Sequence, residues 1–526
     1  MSLQPVLIAG EWRAADASSS FQSHNPATRE ALPDEYPVSN WSDCEVALQA
    51  AAEAAAVMRV MPGERIAAFL EAFADGIEAR QEALVEMAHA ETALPKSPRL
   101  ADGELPRTTG QLRQAAQAAR DETWRMPIID SATNIRSCFG AIGPVAVFGP
   151  NNFPFAFGSA SGGDFAAAIA AGNPVIAKAN SSHPGTTRIF AEAALEAAQA
   201  TDMPAATVQL IYRTSHADGE RLVADRRLGA TGYTGSRSAG LKLKAAADAA
   251  GIPIYLELSS VNPVVVLPQA IEERGDDIVA DFAGSCLMGT GQFCTNPGLV
   301  ILVDNASTQG FIDGIAEKFS AAPVGTLLSA AVETSLQQNL QLLVDAGVQV
   351  VTGNTPGGGN GCSHGNTLLS IRGEQFLADP ETMQTEAFGN ASLVVVASGI
   401  EQVAEIIEQL EGNLTGCIYS HSEGADEADY DAIADRLRCK VGRLLNDKMP
   451  TGVAVTAAMN HGGPYPATGH PGFTAVGIPG AVTRFAQLHC YDNVRSARLP
   501  ACLQDANPSG SLWRQVDGTW SQADVQ

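Results

Sequence analysis

Basic residues are scarce in this chain. Its 33 Lys and Arg stand against 58 Asp and Glu, a formal net charge of −25. Nucleic acid and anionic membrane surfaces reward a basic face, so neither is expected as a broad partner. Charge of either sign is also sparse, at 17% of residues against 45% hydrophobic. With 526 residues, that balance supplies enough apolar material for about two to four domains with large cores. The nine cysteines include no CxxC-like cluster, which argues against a zinc ribbon or a disulfide framework, and no metal is expected. The opening MSLQPVLIAGEWRAAD has neither the basic start nor the apolar run of a secretory signal, so a reducing, cytoplasmic location is expected. The uncharged stretch 137–163 contains six glycines and three prolines, and reads as a buried strand entering a loop rather than a membrane span.

What is present is organised. From Glu45 to Arg120 the chain is rich in Ala, Glu, Arg and Leu, with no proline between Pro62 and Pro95, which predicts helices. Short apolar runs then alternate with alanine-rich segments. Strands are expected at Val145–Phe148, Val175–Ala177, Val208–Tyr212, Gly229–Tyr233 and Ile254–Leu258. Helices are expected at Ser159–Ala171, Pro184–Ala200 and Lys242–Ala249. Such alternation predicts a parallel, doubly wound sheet covered on both faces. A second series begins at Val264–Leu267 and runs to Gly442–Asn446, predicting a second α/β domain packed against the first with a cleft between them. Gly353–Gly365 reads as a mobile surface loop.

Three motifs could carry chemistry. In GTGQFCT, Gly289–Thr295, glycines let the backbone bend and aim N–H groups so that Cys294 could work as a thiolate; the bland alternative is an inert buried cysteine. In YLELSSVNP, Glu257 sits in an otherwise apolar strand, so it either points into a site or needs a buried partner. In VFGPNNFPF, Asn152 could cap a helix or donate to an oxyanion.

Taken together, and in this order, the three motifs resemble the aldehyde dehydrogenase superfamily. VIAKANSSHPGTT, GYTGSRSAG and TEAFGNAS strengthen the likeness, which spans nearly the whole chain. The resemblance implies two doubly wound α/β domains, a Rossmann-like cofactor domain (1–128 and 147–263) and a catalytic domain (264–470). It also implies a small oligomerisation hairpin with bridging segments (129–146 and 485–505) that build a homodimer or homotetramer. Cys294 would attack the aldehyde, Asn152 and the Cys294 N–H would hold the oxyanion, and Glu257, with a raised pKa, would deprotonate the hydrolytic water. Lys178, Gly235, Ser236, Glu386 and Phe388 would bind the cofactor. Strict NAD enzymes of the family carry a glutamate where this chain has Ser181. That change, with Arg213 after the next strand, predicts a preference for NADP, with NAD possible.

The C-terminal stretch MPTGVAVTAAMNHGGPYPATG, with RFAQLHCYDNV and ARLP, looks like the NADP-linked α-ketoglutaric semialdehyde (2,5-dioxopentanoate) dehydrogenases. The reaction implied is 2,5-dioxopentanoate plus NADP plus water to 2-oxoglutarate plus NADPH. Thr295, Asn296, His461 and Arg484 are the candidates to anchor the far end of that small aldehyde, although His461 reads equally as a structural histidine. Fatty aldehyde dehydrogenases form the neighbouring alternative. GSASGGDFAAAIAAG loosely resembles an amidase signature, a distant serine-hydrolase alternative, and Cys286 is the reserve nucleophile.

Overall fold

The computed structural model describes residues 3–526. Two seven-stranded sheets organise it. In the first, parallel strands run in the order Ile254–Glu257, Ala230–Thr234, Val145–Phe148, Val175–Lys178, Val208–Ile211, and the antiparallel pair Val6–Ile8 and Glu11–Arg13 extends the edge. In the second, Gln349–Thr352 is antiparallel to Thr367–Arg372. Parallel strands Ala391–Ala397, Leu299–Val303, Pro263–Val266, Asn413–Tyr419 and Val441–Asn446 follow. The inner strands are apolar on both faces, as Val145–Phe148 and Ala391–Ala397 show by being buried at every residue. Helices cover both faces; among them Gly63–Glu78 presents Ile66, Phe69, Leu70, Phe73 and Ile77 inward at helical spacing.

In the parallel part of the first sheet the chain starts at Val145–Phe148, steps outward through two strands, then returns to pair Ala230–Thr234 on the other side of its starting strand. That reversal opens a crevice beyond the carboxyl ends of the strands, where Lys178 and Glu257 end their strands and loops carrying Asn152 and Gly235 emerge. The second sheet begins directly after, at Pro263.

Several expectations need correction. The helix expected at Ser159–Ala171 spans Gly163–Ala170 only. Gly162 N–H bonds to Gly158 O at 2.8 Å, and a Cβ on Gly162 would lie 2.5 Å from Phe157 Cα, so the preceding residues fold into tight turns instead. The Gly353–Gly365 loop is anchored rather than free: Cys362, Ser363 and His364 are buried, and Cys362 bonds through its N–H to Pro26 O and through its O to Leu327 N–H. Helices Ala330–Asp345 and Glu427–Arg438 and strand Thr367–Arg372 were not foreseen. Their signals are present: Ser329 Oγ caps the first by accepting from Val332 N, and the second has acids in its first turn and arginines in its last.

A separate five-stranded sheet joins Ala486–Asp492, Ile135–Ala141, Ile128–Asp130, Arg514–Val516 and Thr519–Ser521 in that order. No helix among the described residues is long and apolar enough to cross a membrane.

Candidate active site

Where the last strand of the first sheet ends, the turn Ser259–Asn262 leads into the second sheet, and it is built of side-chain hydrogen bonds. Asn413 Oδ1 accepts from Ser260 Oγ, Val261 N and Asn262 N at 3.1, 2.9 and 3.0 Å. Asn262 takes a left-handed φ of 48°, which asparagine tolerates better than most residues. Its Nδ2 donates to Cys294 O and Asn296 O, both at 2.9 Å. Asn262 therefore fixes the cysteine loop to the strand that carries Glu257. The loop is pinned from its other side at Gly291, which has a φ of 68° and whose missing Cβ would lie 2.0 Å from Gly389 O. Any side chain there would push Cys294 away from the Glu386–Gly389 segment.

Three reactive groups converge in this frame. His461 Nε2 lies 2.8 Å from Glu257 Oε1 and 3.5 Å from Cys294 Sγ. Glu257 Oε2 is buried without a partner. Asn152 Nδ2 donates to Gln292 O at 2.9 Å beside the nucleophile loop, and the Cys294 N–H has no protein acceptor. Cys294 is partly exposed, whereas Cys286 is buried, its thiol pushed up to about 12 by burial, and its Sγ faces Ala391 O at 3.7 Å. Cys286 is thus an inert packing residue.

The electrostatics differ from expectation in two places. The Cys294 thiol is pushed well above the ordinary cysteine value, first by burial and then by the Glu257 charge; a pre-formed thiolate is not what the surroundings favour. For Glu257, burial works upward, but the charge and hydrogen bond of His461, with help from Cys294 and Arg484, hold its carboxyl below the usual value. The resting site therefore pairs a protonated thiol with an ionised carboxylate. The two share His461 Nε2 as neighbour, an arrangement that can carry the thiol proton away when a substrate arrives.

The proposed substrate anchors are placed elsewhere. His461 belongs to the reacting end rather than the far end. Thr295 is fully enclosed, and Asn296 turns inward, its Nδ2 facing Gly389 O and Cys286 Sγ. Arg484 is buried and committed to Asp164, Nη2 to Oδ1 at 2.6 Å, behind Glu257 and His461. A guanidinium already paired in a dry setting has no free fork to offer a ligand. The sequence reading missed Asn262, Gln292 and the arginines on the other flank. Arg99 stacks 4.2 Å over the Phe153 ring and donates to Glu104 and to Asn152 O. Glu104 also receives the N–H groups of Phe155 and Ala156, so this pair holds the Asn152 loop in place.

A trench leads away from Cys294. Its inner cavity, roughly 480 Å³, is lined by Asn152, Glu257, Cys294, Glu386 and Phe388. It continues past Gly235 and Ser236 into a cavity of roughly 580 Å³ that contains Lys178, Ser181 and Arg213. Ser236 precedes helix Arg237–Ala250 and makes no side-chain cap, so that helix turns uncapped N–H groups toward the trench. Lys178 is half-buried with no acidic partner among the described residues, and desolvation followed by the Arg213 charge lowers it to about 8. Burial pushes Glu386 up to about 7, against the donors of Ser259 and Ser260. The described residues contain one cluster with metal-ligand spacing, Glu257, Cys294 and His461 within 4.8 Å, and a cation there would consume the nucleophile.

A model of the aldehyde dehydrogenase family matches residues 12–463. The chain belongs to the aldehyde dehydrogenase family. It is an oxidoreductase acting on aldehydes, and the amidase alternative is set aside. Similar curated proteins include alpha-ketoglutaric semialdehyde dehydrogenase 2 of Azospirillum brasilense, 38% identical over 97% of this chain and 98% of that protein. Alpha-ketoglutaric semialdehyde dehydrogenase of Acinetobacter baylyi is 34% identical over 98% of both chains. Among solved structures, lactaldehyde dehydrogenase superposes with a TM-score of 0.80 at 22% identity, over 93% of this chain and 98% of the other. The complex of 3,6-anhydro-L-galactose dehydrogenase with NAP gives 0.80 at 20%, over 93% and 99%. Both show the shared aldehyde dehydrogenase fold. The family uses NAD or NADP, and the trench fits such a molecule: uncapped helix N–H groups, a half-buried lysine with no acidic partner among the described residues, and a half-buried carboxylate lie along its length.

Because His461 holds the Glu257 carboxyl low, His461→Ala is expected to move the acid limb of the kcat/KM–pH profile to higher pH. An unmoved limb would remove His461 from that role.

Proposed function

We propose that this aldehyde dehydrogenase oxidises 2,5-dioxopentanoate to 2-oxoglutarate with NADP. The observation that carries the substrate reading is the near full-length likeness to two alpha-ketoglutaric semialdehyde dehydrogenases, at 38% and 34% identity. Cys294 Sγ attacks the aldehyde carbon as its proton passes to the Glu257–His461 pair. The second hydrogen of Asn152 Nδ2 and the free Cys294 N–H meet the developing oxyanion. Bound NADP would supply the hydride acceptor that conversion of the Cys294 thiohemiacetal into a thioester requires. Once the pair has released the thiol proton to solvent, Glu257 Oε2, which has no protein partner among the described residues, takes a proton from the water that opens the thioester, and the departing sulfur takes up a proton as the C–S bond breaks.

Lys178 and Ser236 hold the adenosine and pyrophosphate end, Glu386 the nicotinamide ribose, and Phe388 packs beside it. Ser181 leaves the adenosine end without the carboxylate that would repel a 2′-phosphate, and Arg213, exposed at the same cavity, supplies charge. One acid, Glu220, also lines that cavity from an exposed position. The cofactor part therefore lies on residues 1–128 and 147–263, the catalytic part on 264–470. The five-stranded sheet around 129–146 and 485–505 forms the subunit contact. Its edge strand Ala486–Asp492 exposes Leu488, and Ile128, Ile135, Trp513 and Trp520 are exposed nearby.

With NADP, kcat/KM should be highest for 2,5-dioxopentanoate in a panel that includes succinic semialdehyde and decanal, and Cys294→Ala should abolish oxidation while NADP still binds. A wild-type preference for decanal would favour the fatty aldehyde reading instead. Arg213→Ala should lower kcat/KM for NADP about tenfold or more and leave NAD little changed; equal losses for both would remove it from phosphate recognition. Leu488→Glu should shift sedimentation to a smaller species, and an unshifted boundary would place the subunit contact elsewhere.

A further inference from the structure

Phe293, next to Cys294 in the chain, packs with Phe153 and Phe157 in an aromatic cluster. None of these rings lines the two cavities that make the trench. Phe157 also packs on the His461 ring, with centroids 5.6 Å apart. Set against the cluster is Arg107, from helix Leu105–Asp121, with its Cζ 5.9 Å from the Phe153 ring centre and 5.4 Å from that of Phe157. Its Nη1 donates to Val453 O at 2.8 Å. Its Nε and Nη2 are both buried and have no partner among the described residues.

Those two nitrogens share one edge of the guanidinium plane, the edge that grips a carboxylate through two parallel N–H···O bonds. Leaving it empty in an apolar setting is costly, because an arginine cannot shed its charge. The nearby acid does not relieve it: Glu104 is already engaged by Arg99 and by the N–H groups of Phe155 and Ala156. The two arginines and one glutamate leave an excess positive charge beside this cluster. Burial lowers the Arg107 pKa, and its charge interacts with Glu104, Cys294 and Glu257, so it lies within electrostatic reach of the reacting groups. Arg443, which also acts on Cys294, spends both terminal nitrogens on the carbonyls of Pro450 and Gly452.

We propose that Arg107 is the anion anchor of the substrate pocket, its Nε–Nη2 edge binding the carboxylate of a short aldehyde acid whose carbonyl carbon rests at Cys294. The role first sought in Arg484 thus falls to a guanidinium on the opposite flank. Phe153 and Phe157 line the intervening methylenes, and a short chain bridges sulfur to guanidinium where a long alkyl chain would meet an uncompensated charge. This anchor rests on the reading of 2,5-dioxopentanoate as substrate, and it names the group that selects it.

The test measures Arg107→Gln and Arg107→Lys against wild type in two assays: kcat/KM for 2,5-dioxopentanoate and for pentanal, and competitive inhibition of pentanal oxidation by glutarate. In Arg107→Gln the ratio of the two kcat/KM values should fall about 100-fold, through KM more than kcat, and the glutarate inhibition constant should rise by a similar factor. Arg107→Lys, which keeps the charge, should recover part of both. Equal losses on the two aldehydes with unchanged glutarate inhibition would overturn the anchor while leaving the substrate reading intact. A wild type that is inhibited by glutarate through Arg107 yet fails to turn over 2,5-dioxopentanoate would overturn the substrate reading and leave the anchor standing.

Discussion

The site depends on a hydrogen-bonded knot between the two sheets. Glu257 ends one sheet and Cys294 precedes a strand of the other, so their separation is only as fixed as the join. Asn413 Oδ1 collects three donors from the turn between the sheets, and Asn262 Nδ2 bonds Cys294 O and Asn296 O at once. Each such bond adds about 1 kcal/mol net, and Ser260, Asn262, Asn296 and Asn413 are all buried, so losing one partner would strand another away from solvent. Buried polar groups are here the device that turns two independent sheets into one site.

Charge is handled locally, against the global balance. The molecule carries a net charge of −25, yet Lys178 lines the trench that leads from Cys294 and Arg107 packs on the Phe153 and Phe157 rings, neither with an acidic partner among the described residues. Both are costly when the site is empty, and both are positioned where anionic parts of small molecules would offset the cost. At the centre the logic reverses. Glu257 raises the thiol and His461 steadies Glu257, so protons are held on sulfur until chemistry needs them moved.

Much of this was legible in the sequence, for reasons that can be named. Strand Val145–Phe148 is flanked by glycine and proline and buried throughout, and helix Pro184–Ala200 opens on Pro-Gly and buries Phe190, Ala191, Ala194, Ala197 and Ala198 at helical spacing, so period and punctuation agree. Cys294, Glu257 and Asn152 stand in motifs whose local strings are distinctive. Arg107 and Arg484 could not be sorted the same way: each is one arginine on an amphipathic or irregular segment, and what separates them is whether a distant acid takes the guanidinium. Asp164 lies 320 residues from Arg484, a pairing no local pattern encodes. The pKa directions failed for the same reason, since the neighbour that sets Glu257 is His461, 204 positions away. Asn262 was in a quoted motif, but its work is done by a side chain whose partners become visible only in three dimensions.

The contact between Gly291 and Gly389 has a further consequence. With no side chain between them, the backbone before the nucleophile rests directly on the segment that carries Glu386 and Phe388. Cys294 and Glu386 are then two jaws of one caliper, set by backbone thickness rather than by adjustable side chains. A dinucleotide seated on Glu386 would have its ring registered against the sulfur by the main chain itself, and that gauge would be the same whichever aldehyde occupied the other side.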